Sequence, residues 1–320
     1  MSRIEVAAES VDGINPLDDQ VRSEIRYGAG PRSHHVLGRL AGEPGVVAYA
    51  HAARDEGGAS GHLVVHPDHR GRGIGRQVLD HLLGLIQTAD PGRTGPEPEP
   101  SPSTLSPATL SPSTLSPSAL PRATLRLWAH GNTPGAAALA AARGLRSGRE
   151  LLQMRRSLAQ PLPDPTYPDG ISVRTFDPGQ DDEPWVSLNA ASFAAHPEQG
   201  RLSIDDLRHR MAETWFDQAG FFVAERRGEL EGSHWTKVHP PGGSGADSAP
   251  VGEVYAVGVH PRAQGLGLGK ALTLTGLHHL QERGLAEVML YVDGDNTAAV
   301  SLYRRLGFST TRTDVMYTTH

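Results

Sequence analysis

The chain carries one strand, loop and helix pattern twice, and this internal repeat constrains its fold more than any other feature. The segments HLVVHPDHRGRGIGRQVLDHLL at 62–83 and VYAVGVHPRAQGLGLGKALTLTGLHHL at 254–280 align through a His-Pro pair and two glycines. His66 and His260 are 194 residues apart, and the proline and both glycines that follow keep this offset. A duplicated unit within 320 residues indicates two domains of ordinary size.

A second shared pattern reveals an insertion in the first copy. The patterns around Gly144 and Gly307 are offset by only 163 residues, so the first copy is longer by 31 residues. Residues 91–121 have this length and repeat an SP-x-x-L unit rich in Ser, Pro and Thr. Proline removes backbone donors, and small polar residues bury too little apolar area to offset the entropy of ordering. We therefore predict a disordered surface insert within the first domain.

Domain boundaries follow from the proline content between the two copies. Residues 158–170 contain four prolines, which disfavour regular structure, and are predicted to link the domains. The first domain then comprises residues 1–157, including the insert, and the second comprises residues 171–320. In the second domain, apolar runs typical of strands alternate with helical spacing, which predicts an α/β fold.

Composition excludes several classes of protein. The absence of cysteine rules out disulfides, thiolate metal ligands and a cysteine nucleophile. A formal net charge of −6 provides no basic field for nucleic acid or anionic lipid. No stretch approaches the roughly 20 apolar residues of a membrane span, and the N-terminal residues lack the pattern of a secretory signal. We predict a cytoplasmic protein without nucleic-acid or membrane partners.

Metal binding is not predicted either. The 16 histidines include no HExxH spacing. The adjacent pairs His34-His35 and His278-His279 are expected at the surface rather than as ligands.

A glycine loop follows the apolar run that ends at Val259. Gln264, Gly267 and Gly269 stand at the start of a predicted helix. Glycines permit turn dihedrals and the close approach of a ligand, while the first amides of a helix suit an anion such as a pyrophosphate. A glycine turn without a ligand is the alternative. GLGLGKAL lacks the third glycine of a dinucleotide fingerprint, and no Ser or Thr follows its lysine as in a Walker A loop.

These residues resemble the GNAT acetyltransferase superfamily, in which a Q/R-x-x-G-x-G/A loop grips the pyrophosphate of acetyl-CoA. The motif is present as QGLGLG at 264–269 and as RGRGIG at 70–75, and D-x-x-N-x-x-A-x-x-L-Y-x-x-x-G-F spans 293–308. Outside the insert, the chain is similar to the actinobacterial mycothiol synthase family through VDGINPLDDQV, HPEQG, HWTKVHP, GEVYAVGVHP and LYVDGDNTAAVSLYRRLGF, in the same order. The resemblance implies two tandem GNAT-like domains with mixed sheets.

The resemblance also implies a reaction. Acetyl would pass from acetyl-CoA to the cysteinyl amine of 1D-myo-inositol 2-(L-cysteinylamino)-2-deoxy-α-D-glucopyranoside, giving mycothiol and CoA. A GNAT enzyme for another amine, such as an aminoglycoside or a protein N-terminus, is one alternative, and a noncatalytic acetyl-CoA-sensing module is another. We expect a monomer whose partner is a small-molecule amino-sugar thiol.

Two residues are candidates for the chemistry. An α-amino group with a pKa near 8 is only partly neutral at pH 7, so a base helps it attack a thioester. Glu253, on the strand that enters the glycine loop, is the candidate base, directly or through a water, although it fits a solvated carboxylate too. Tyr303 is the candidate acid for the leaving thiolate. Ala299 and Leu306 continue its helical stripe, so a core tyrosine is the alternative.

Further site residues follow from the resemblance alone. The positions that match the acceptor contacts of the family are Asp19, Glu198, Lys237, Glu253 and Tyr291. Asp19 departs from the family, where Glu can occupy this position, and also fits a solvated surface charge. The predicted acetyl-CoA contacts are Leu63, Val64, Val65, Gly71, Arg72, Gly73, Ile74, Gly75 and Arg76 in the first copy, and Val257, Gly258, Val259, Gln264, Gly265, Leu266, Gly267, Leu268, Gly269, Lys270, Asn296, Thr297, Ala298, Ala299, Val300 and Ser301 in the second. Amides between 257 and 259 are expected to bind the acyl carbonyl, and Asn296 fits a helix N-cap equally well.

The first copy keeps the glycine loop but not the candidate chemistry. The counterpart of Glu253 is Ala59, and the counterpart of Tyr303 is Ala140. We therefore predict that the first domain binds acetyl-CoA and is catalytically silent.

Overall fold

The structure is a computed structural model that describes residues 2–17, 21–22, 24–25, 32–43, 45–55, 58–88, 124–194, 196, 199–241 and 249–319. The insert predicted at 91–121 lies outside these residues, as do the predicted acceptor contacts Asp19 and Glu198. The chain divides into two compact units: residues 1–151 with 313–320, and residues 152–312.

The first unit is built on a mixed sheet. Strands β1 to β4 lie in chain order, followed by the last residues of strand β11, and only the β3–β4 pair is parallel. The elements are α1 (Ser2–Asp12), β1 (Ser33–Arg39), β2 (Val46–Asp55), β3 (Gly58–Val65), α2 (Ile74–Thr88), β4 (Leu125–Ala129), α3 (Pro134–Ala142) and the start of β5 (Arg146–Ser157).

Two helices cover opposite faces of this sheet. Val78 and Leu82 of α2 pack against one face, in a cluster with Ala50. Ile4 of α1 packs in another cluster with Tyr49. Neighbouring residues of a strand point to opposite faces, so the adjacent residues Tyr49 and Ala50 belong to different layers of the core.

The second unit repeats this architecture. Its strand order is β11, β5, β10, β9, β8, β7 and β6, with a parallel β9–β10 pair and antiparallel pairs from β9 to β6. The elements are β6 (Ser172–Thr175), α4 (Asp182–Ser192), α5 (Ile204–Met211), β7 (Phe221–Arg226), β8 (Glu229–His239), β9 (Val251–Val259), α6 (Leu268–Glu282), β10 (Glu287–Asp293), α7 (Thr297–Arg305) and β11 (Ser309–Thr318).

The two faces of the second sheet have different cores. Leu277 of α6 packs with Val254 and Leu290 on one face. An aromatic row covers the other, where the ring centroids of Phe221 and Trp235 are 4.4 Å apart in a stacked arrangement. Aromatic stacking of this kind adds to the energy of area burial.

The segment 158–170, which the prolines predicted as a linker, lies within the second unit and packs along α6. Leu158 is buried, and its carbonyl accepts a hydrogen bond from Gln281 at 2.6 Å. His278 Nε2 donates to Pro163 O at 3.1 Å. The prolines therefore end β5 and direct the chain across a helix, rather than separating the units.

The division between the units falls inside two strands instead. One break lies between Leu151 and Leu152 in β5, and the other lies between Arg312 and Thr313 in β11. The C-terminal residues belong to the first unit because Val315 pairs with Ala129 of β4. The predicted second domain, residues 171–320, therefore differs from the compact unit at both ends.

Candidate active site

The glycine loop of the second unit connects β9 to α6. Gly265 and Gly267 have φ angles of +79° and +84°, and Gly267 is the N-cap of α6. Residues with a Cβ adopt these dihedrals at a cost of about 1–2 kcal/mol. The first turn of a helix leaves amides without intrahelical partners. In α6 these amides follow directly on a loop whose residues 264–267 are exposed to solvent. This arrangement suits an anion.

The first unit repeats the loop in detail. Gly71 and Gly73 have φ angles of +73° and +77°, which match their counterparts 194 residues later. Arg70 Nε donates to Val65 O at 3.1 Å, as Gln264 Nε2 donates to Val259 O at 3.3 Å. The side chains of Arg70 and Gln264 thus hold each loop to the end of its strand. The groups of the loop that suit an anion are therefore its backbone amides.

Strands β9 and β10 separate beside this loop. Their parallel pairing covers Val288 to Leu290 and ends at Val254, although β9 continues for five more residues. The pairing of β9 with β8 shifts by one residue between Ala256 and Val254, which leaves Tyr255 as a bulge. Bulges increase the local twist of a strand and commonly end pairing next to functional sites.

The separation directs two amides into the gap. His260 N donates to Glu231 O of β8 at 2.8 Å. Successive N–H groups of a strand point to opposite sides, so the amides of Val257 and Val259 point away from β8, toward the side where β10 has separated. These are two of the three residues predicted to bind an acyl carbonyl.

A cavity of about 670 Å³ occupies the corresponding place in the first unit. The β3–β4 pairing there ends at His62 and Trp128. Eight of the nine predicted acetyl-CoA contacts of this copy line the cavity, Arg72 being the exception. Its size lies within the range of small-molecule sites.

Glu253 lies on β9 with its side chain largely buried and paired. Its Oε2 is 2.6 Å from His239 Nε2, and Lys237 is its direct cross-strand partner on β8. Cross-strand partners share a face of the sheet. Glu253 is therefore not the solvated strand carboxylate that was its alternative interpretation.

Lys237 is held over two aromatic rings. Its Nζ lies 4.9 Å from the ring centroid of Trp215 and 5.6 Å from that of Tyr255. An ammonium over an aromatic face is attracted to the ring quadrupole. The cation is thereby fixed on the face of the sheet that carries Glu253.

Tyr291 reaches the same face from β10. Met289 is the parallel partner of Glu253, and Tyr291 follows it by two residues, so both project to that side. The phenol oxygen of Tyr291 accepts hydrogen bonds from Gln153 Nε2 at 2.9 Å and Arg312 Nη2 at 3.3 Å. Lys237, Glu253 and Tyr291, the predicted acceptor contacts that lie within the described residues, thus share one face of one sheet.

Tyr303 approaches from the opposite face. It packs against the cluster that contains Val254, whose side chain alternates with that of Glu253. Burial raises the pKa of Tyr303 to about 12, so its phenol keeps its proton at neutral pH. The candidate base and acid therefore lie on opposite faces of the sheet, and the cluster that holds Tyr303 includes Val254, where the pairing of β9 with β10 ends.

Comparison with known proteins identifies the family. Residues 185–308 match the model of the acetyltransferase (GNAT) family, and residues 32–99 match that of an acetyltransferase (GNAT) domain. A mycothiol acetyltransferase of Thermobispora bispora is 47% identical over 97% of this chain and 92% of its own. One from Thermomonospora curvata is 48% identical over 97% of this chain and 90% of its own.

The chain belongs to the mycothiol acetyltransferase family. It is an acetyltransferase with two GNAT domains in tandem, which confirms the fold and the enzyme class implied by the resemblance to GNAT enzymes.

Solved structures support the fold of this family member. A GCN5-related N-acetyltransferase from Sphaerobacter thermophilus has a TM-score of 0.69 at 23% identity, covering 99% of this chain and 90% of its own. A tandem GNAT protein from the clavulanic acid biosynthesis pathway has a TM-score of 0.64 at 20% identity, with 99% and 93% covered. Among the described residues of the chain, no helix has the length and apolar character needed to cross a membrane.

Several predicted acetyl-CoA contacts have structural roles in this family member. Asn296 caps α7, because its Oδ1 accepts a hydrogen bond from Ala299 N at 3.1 Å. Val300 and Leu268 are buried, so their side chains belong to the core. Lys270 lines a cavity of about 250 Å³ together with Arg305. In the second copy Gly258 is buried as well, and the remaining residues of its set lie on the exposed or half-buried parts of the loop, the strand end and α7.

Sequence reasoning missed His239, although it belongs to the HWTKVHP motif. A strand through this motif places His239 two residues from Lys237, and therefore on the same face. The contact of His239 with Glu253 could not be predicted from the sequence, because it depends on the register between β8 and β9.

Proposed function

We propose that this chain transfers acetyl from acetyl-CoA to the cysteinyl amine of 1D-myo-inositol 2-(L-cysteinylamino)-2-deoxy-α-D-glucopyranoside, giving mycothiol and CoA. The observation that carries the proposal is the position of Glu253 on β9, beside the point where β10 separates. Relatives that are 42–48% identical bear the name of this activity. Catalysis by the second unit is part of the proposal.

The second unit has the features that acetyl-CoA requires. The amides of the loop from Gln264 to Lys270 suit the pyrophosphate, with the helix dipole of α6 behind them. The gap between the strands suits the pantetheine arm, and the resemblance to GNAT enzymes assigns residues 297–301 of α7 to the same ligand. Lys270 adds a positive charge next to the loop.

The chemistry follows from the groups around the gap. Glu253 takes a proton from the acceptor ammonium, directly or through a water, so that the neutral nitrogen forms a bond to the acetyl carbon. The amides of Val257 and Val259 stabilise the developing oxyanion. As the carbon–sulfur bond breaks, Tyr303 gives its proton to the CoA thiolate. The nitrogen of the new amide loses its second proton to solvent, from which the phenol is reprotonated. No covalent bond to the protein is formed.

Acceptor recognition is assigned to the face that carries Glu253. Carboxylates suit an ammonium and sugar hydroxyls, while Lys237 and the Tyr291 phenol supply further polar contacts. Asp19 and Glu198 remain predictions as acceptor contacts.

The first unit is proposed to hold acetyl-CoA without using it. Its loop and cavity match the requirements of the co-substrate, through Arg76 and the strand end from Leu63 to Val65. Ala59 and Ala140, the counterparts of Glu253 and Tyr303, are core residues that offer no proton-transferring group. That the enzyme is a cytoplasmic monomer without a catalytic metal stays a prediction.

The test is acetyl transfer with purified full-length protein, acetyl-CoA and the cysteinyl-glucosaminyl-inositol acceptor. Because this acceptor carries a thiol of its own, CoA must be quantified by chromatography, and the N-acetyl product by mass spectrometry. We expect rapid N-acetylation that Glu253→Gln abolishes.

Two outcomes would overturn the proposal. Turnover with aminoglycosides or peptide amines instead would make the chain a GNAT enzyme for another amine. Binding of acetyl-CoA without turnover of any amine would favour a sensing module.

A further inference from the structure

Three potential metal ligands meet in the first unit, on the face of the sheet that α1 covers. His35 of β1 and His51 of β2 are direct cross-strand partners. Glu24 lies beside them: its Oε2 is 2.9 Å from His51 Nε2 and 3.8 Å from His35 Nε2. The three ligand atoms lie within 4.8 Å of one another.

This cluster is largely removed from water. The side chains of His51, Glu24 and His35 are 3%, 16% and 25% exposed. His35 Nε2 is inaccessible to solvent and makes no hydrogen bond within the described part of the chain. A buried polar nitrogen without a hydrogen bond costs free energy, so this atom calls for a ligand beyond those that the described residues supply.

A buried tyrosine sets the orientation of His35. Its Nδ1 lies 2.8 Å from the Tyr49 hydroxyl, and Tyr49 is almost fully buried. When Nδ1–H donates to the phenol oxygen, the lone pair of Nε2 faces Glu24 and His51. Metal-binding histidines usually carry such a partner on their second nitrogen, which fixes tautomer and ring orientation.

We propose that Glu24, His35 and His51 bind one divalent transition-metal ion, with Zn²⁺ as the best match. Two imidazoles and a carboxylate form a common zinc ligand set, which leaves a fourth position for water. Ligand atoms of a tetrahedral zinc site are about 3.3 Å apart, so the distances of 2.9 Å and 3.8 Å to Glu24 require small adjustments. The two histidine nitrogens lie within 4.8 Å of each other, so they approach each other where their distance exceeds about 3.3 Å.

The site is separate from the proposed acetyl transfer. Its ligands belong to the first unit, whereas Glu253 and Tyr303 belong to the second. The bound ion would tie β1, β2 and the segment containing Glu24 together. Motif spacing does not reveal such a site, because its ligands come from three different segments.

The experiment uses full-length protein without a histidine tag, freed of metal by dialysis and titrated with Zn²⁺ against a chromophoric chelator. Co²⁺ then serves as a spectroscopic probe of coordination geometry. We expect one equivalent of tight binding, lost in both His35→Gln and Glu24→Gln. Tyr49→Phe should weaken binding by about 10–100-fold, as removal of an outer-shell partner does.

His278→Gln is the matched control, since His278 lies on α6 of the second unit. This variant should bind Zn²⁺ as the wild type does. Circular dichroism of each metal-free variant establishes that it is folded. The proposal is overturned if the wild type binds no equivalent of Zn²⁺ tightly, or if folded His35→Gln binds it equally well. Because binding is measured directly, neither result depends on acetyl transfer.

Discussion

His239 Nε2 lies 2.6 Å from Glu253 Oε2, across the antiparallel pair of β8 and β9. Both side chains are largely buried, at 14% and 9% exposure. The imidazole therefore fixes the orientation of the candidate base and offers a route for the proton that the carboxylate removes. Charge-assisted hydrogen bonds of this length are among the stronger ones in proteins.

The first prediction concerns this contact. His239→Leu should lower kcat by roughly tenfold, less than the loss of the base itself, because the carboxylate remains but loses its orientation. His239→Gln keeps an N–H donor and should restore much of the wild-type kcat. A kcat in His239→Leu equal to that of the wild type would reduce His239 to a packing residue.

Glu253→Gln tests the base. The substitution preserves size and hydrogen-bonding capacity but cannot accept a proton, so kcat should fall by about 10²–10⁴-fold at pH 7. The deficit should shrink above pH 8, where the free α-amino group is already neutral. Steady-state rates from pH 6 to pH 10 measure this convergence. A deficit that stays constant over the whole range would contradict the assignment.

The repeat supplies a matched pair of glycine positions, which test whether only the second unit is catalytic. Gly73 and Gly267 have φ angles of +77° and +84°, and a Cβ at either position would meet no atom within 4 Å. Glutamate costs about the same backbone strain at both and places a carboxylate where a pyrophosphate is expected. Gly267→Glu should abolish turnover, whereas Gly73→Glu should retain most of it. The reverse ranking, measured by CoA release, would assign the chemistry to the first unit.

Tyr303→Phe tests the proton donor. Because burial raises the pKa of Tyr303 to about 12, the phenol is protonated throughout the assay range. The variant should lose about 10²-fold in kcat without removing any limb of the pH–rate profile below pH 10. An alkaline limb near pH 9 that vanishes in Tyr303→Phe would show that the phenol titrates there, contrary to its burial.

The sequence predicted what the repeat duplicates and missed what depends on register. The glycine loops were predictable because only glycine readily adopts the left-handed backbone at Gly267 and its counterpart Gly73. The contact of His239 with Glu253 was not, because it requires the pairing of β8 with β9. Residues 158–170 were expected to link the domains but lie within the second unit. Prolines indicate irregular backbone, but they do not indicate which unit that backbone packs against.

A buried histidine makes the stability of the second unit depend on pH. His234 of β8 is fully buried, and its Nδ1 donates to Leu272 O of α6 at 2.7 Å. Burial lowers the pKa of His234 from 6.5 to about 4. Between these values the unfolded chain binds a proton that the folded chain excludes, so the free energy of unfolding falls as pH falls, by ~3 kcal/mol in total. Above pH 6.5 this contribution is fully present.

Urea unfolding at pH 7.5, 6, 5 and 4.5 measures the slope. Tryptophan fluorescence reports mainly on this unit, because Trp185, Trp215 and Trp235 lie within it. His234→Gln should be less stable at pH 7.5, because its amide fits the site poorly, but its stability should vary less between pH 6.5 and pH 4.5. If the free energy of unfolding falls equally with pH in both proteins, a group other than His234 causes the loss. The pH dependence of the second unit would then not arise from the buried His234 imidazole.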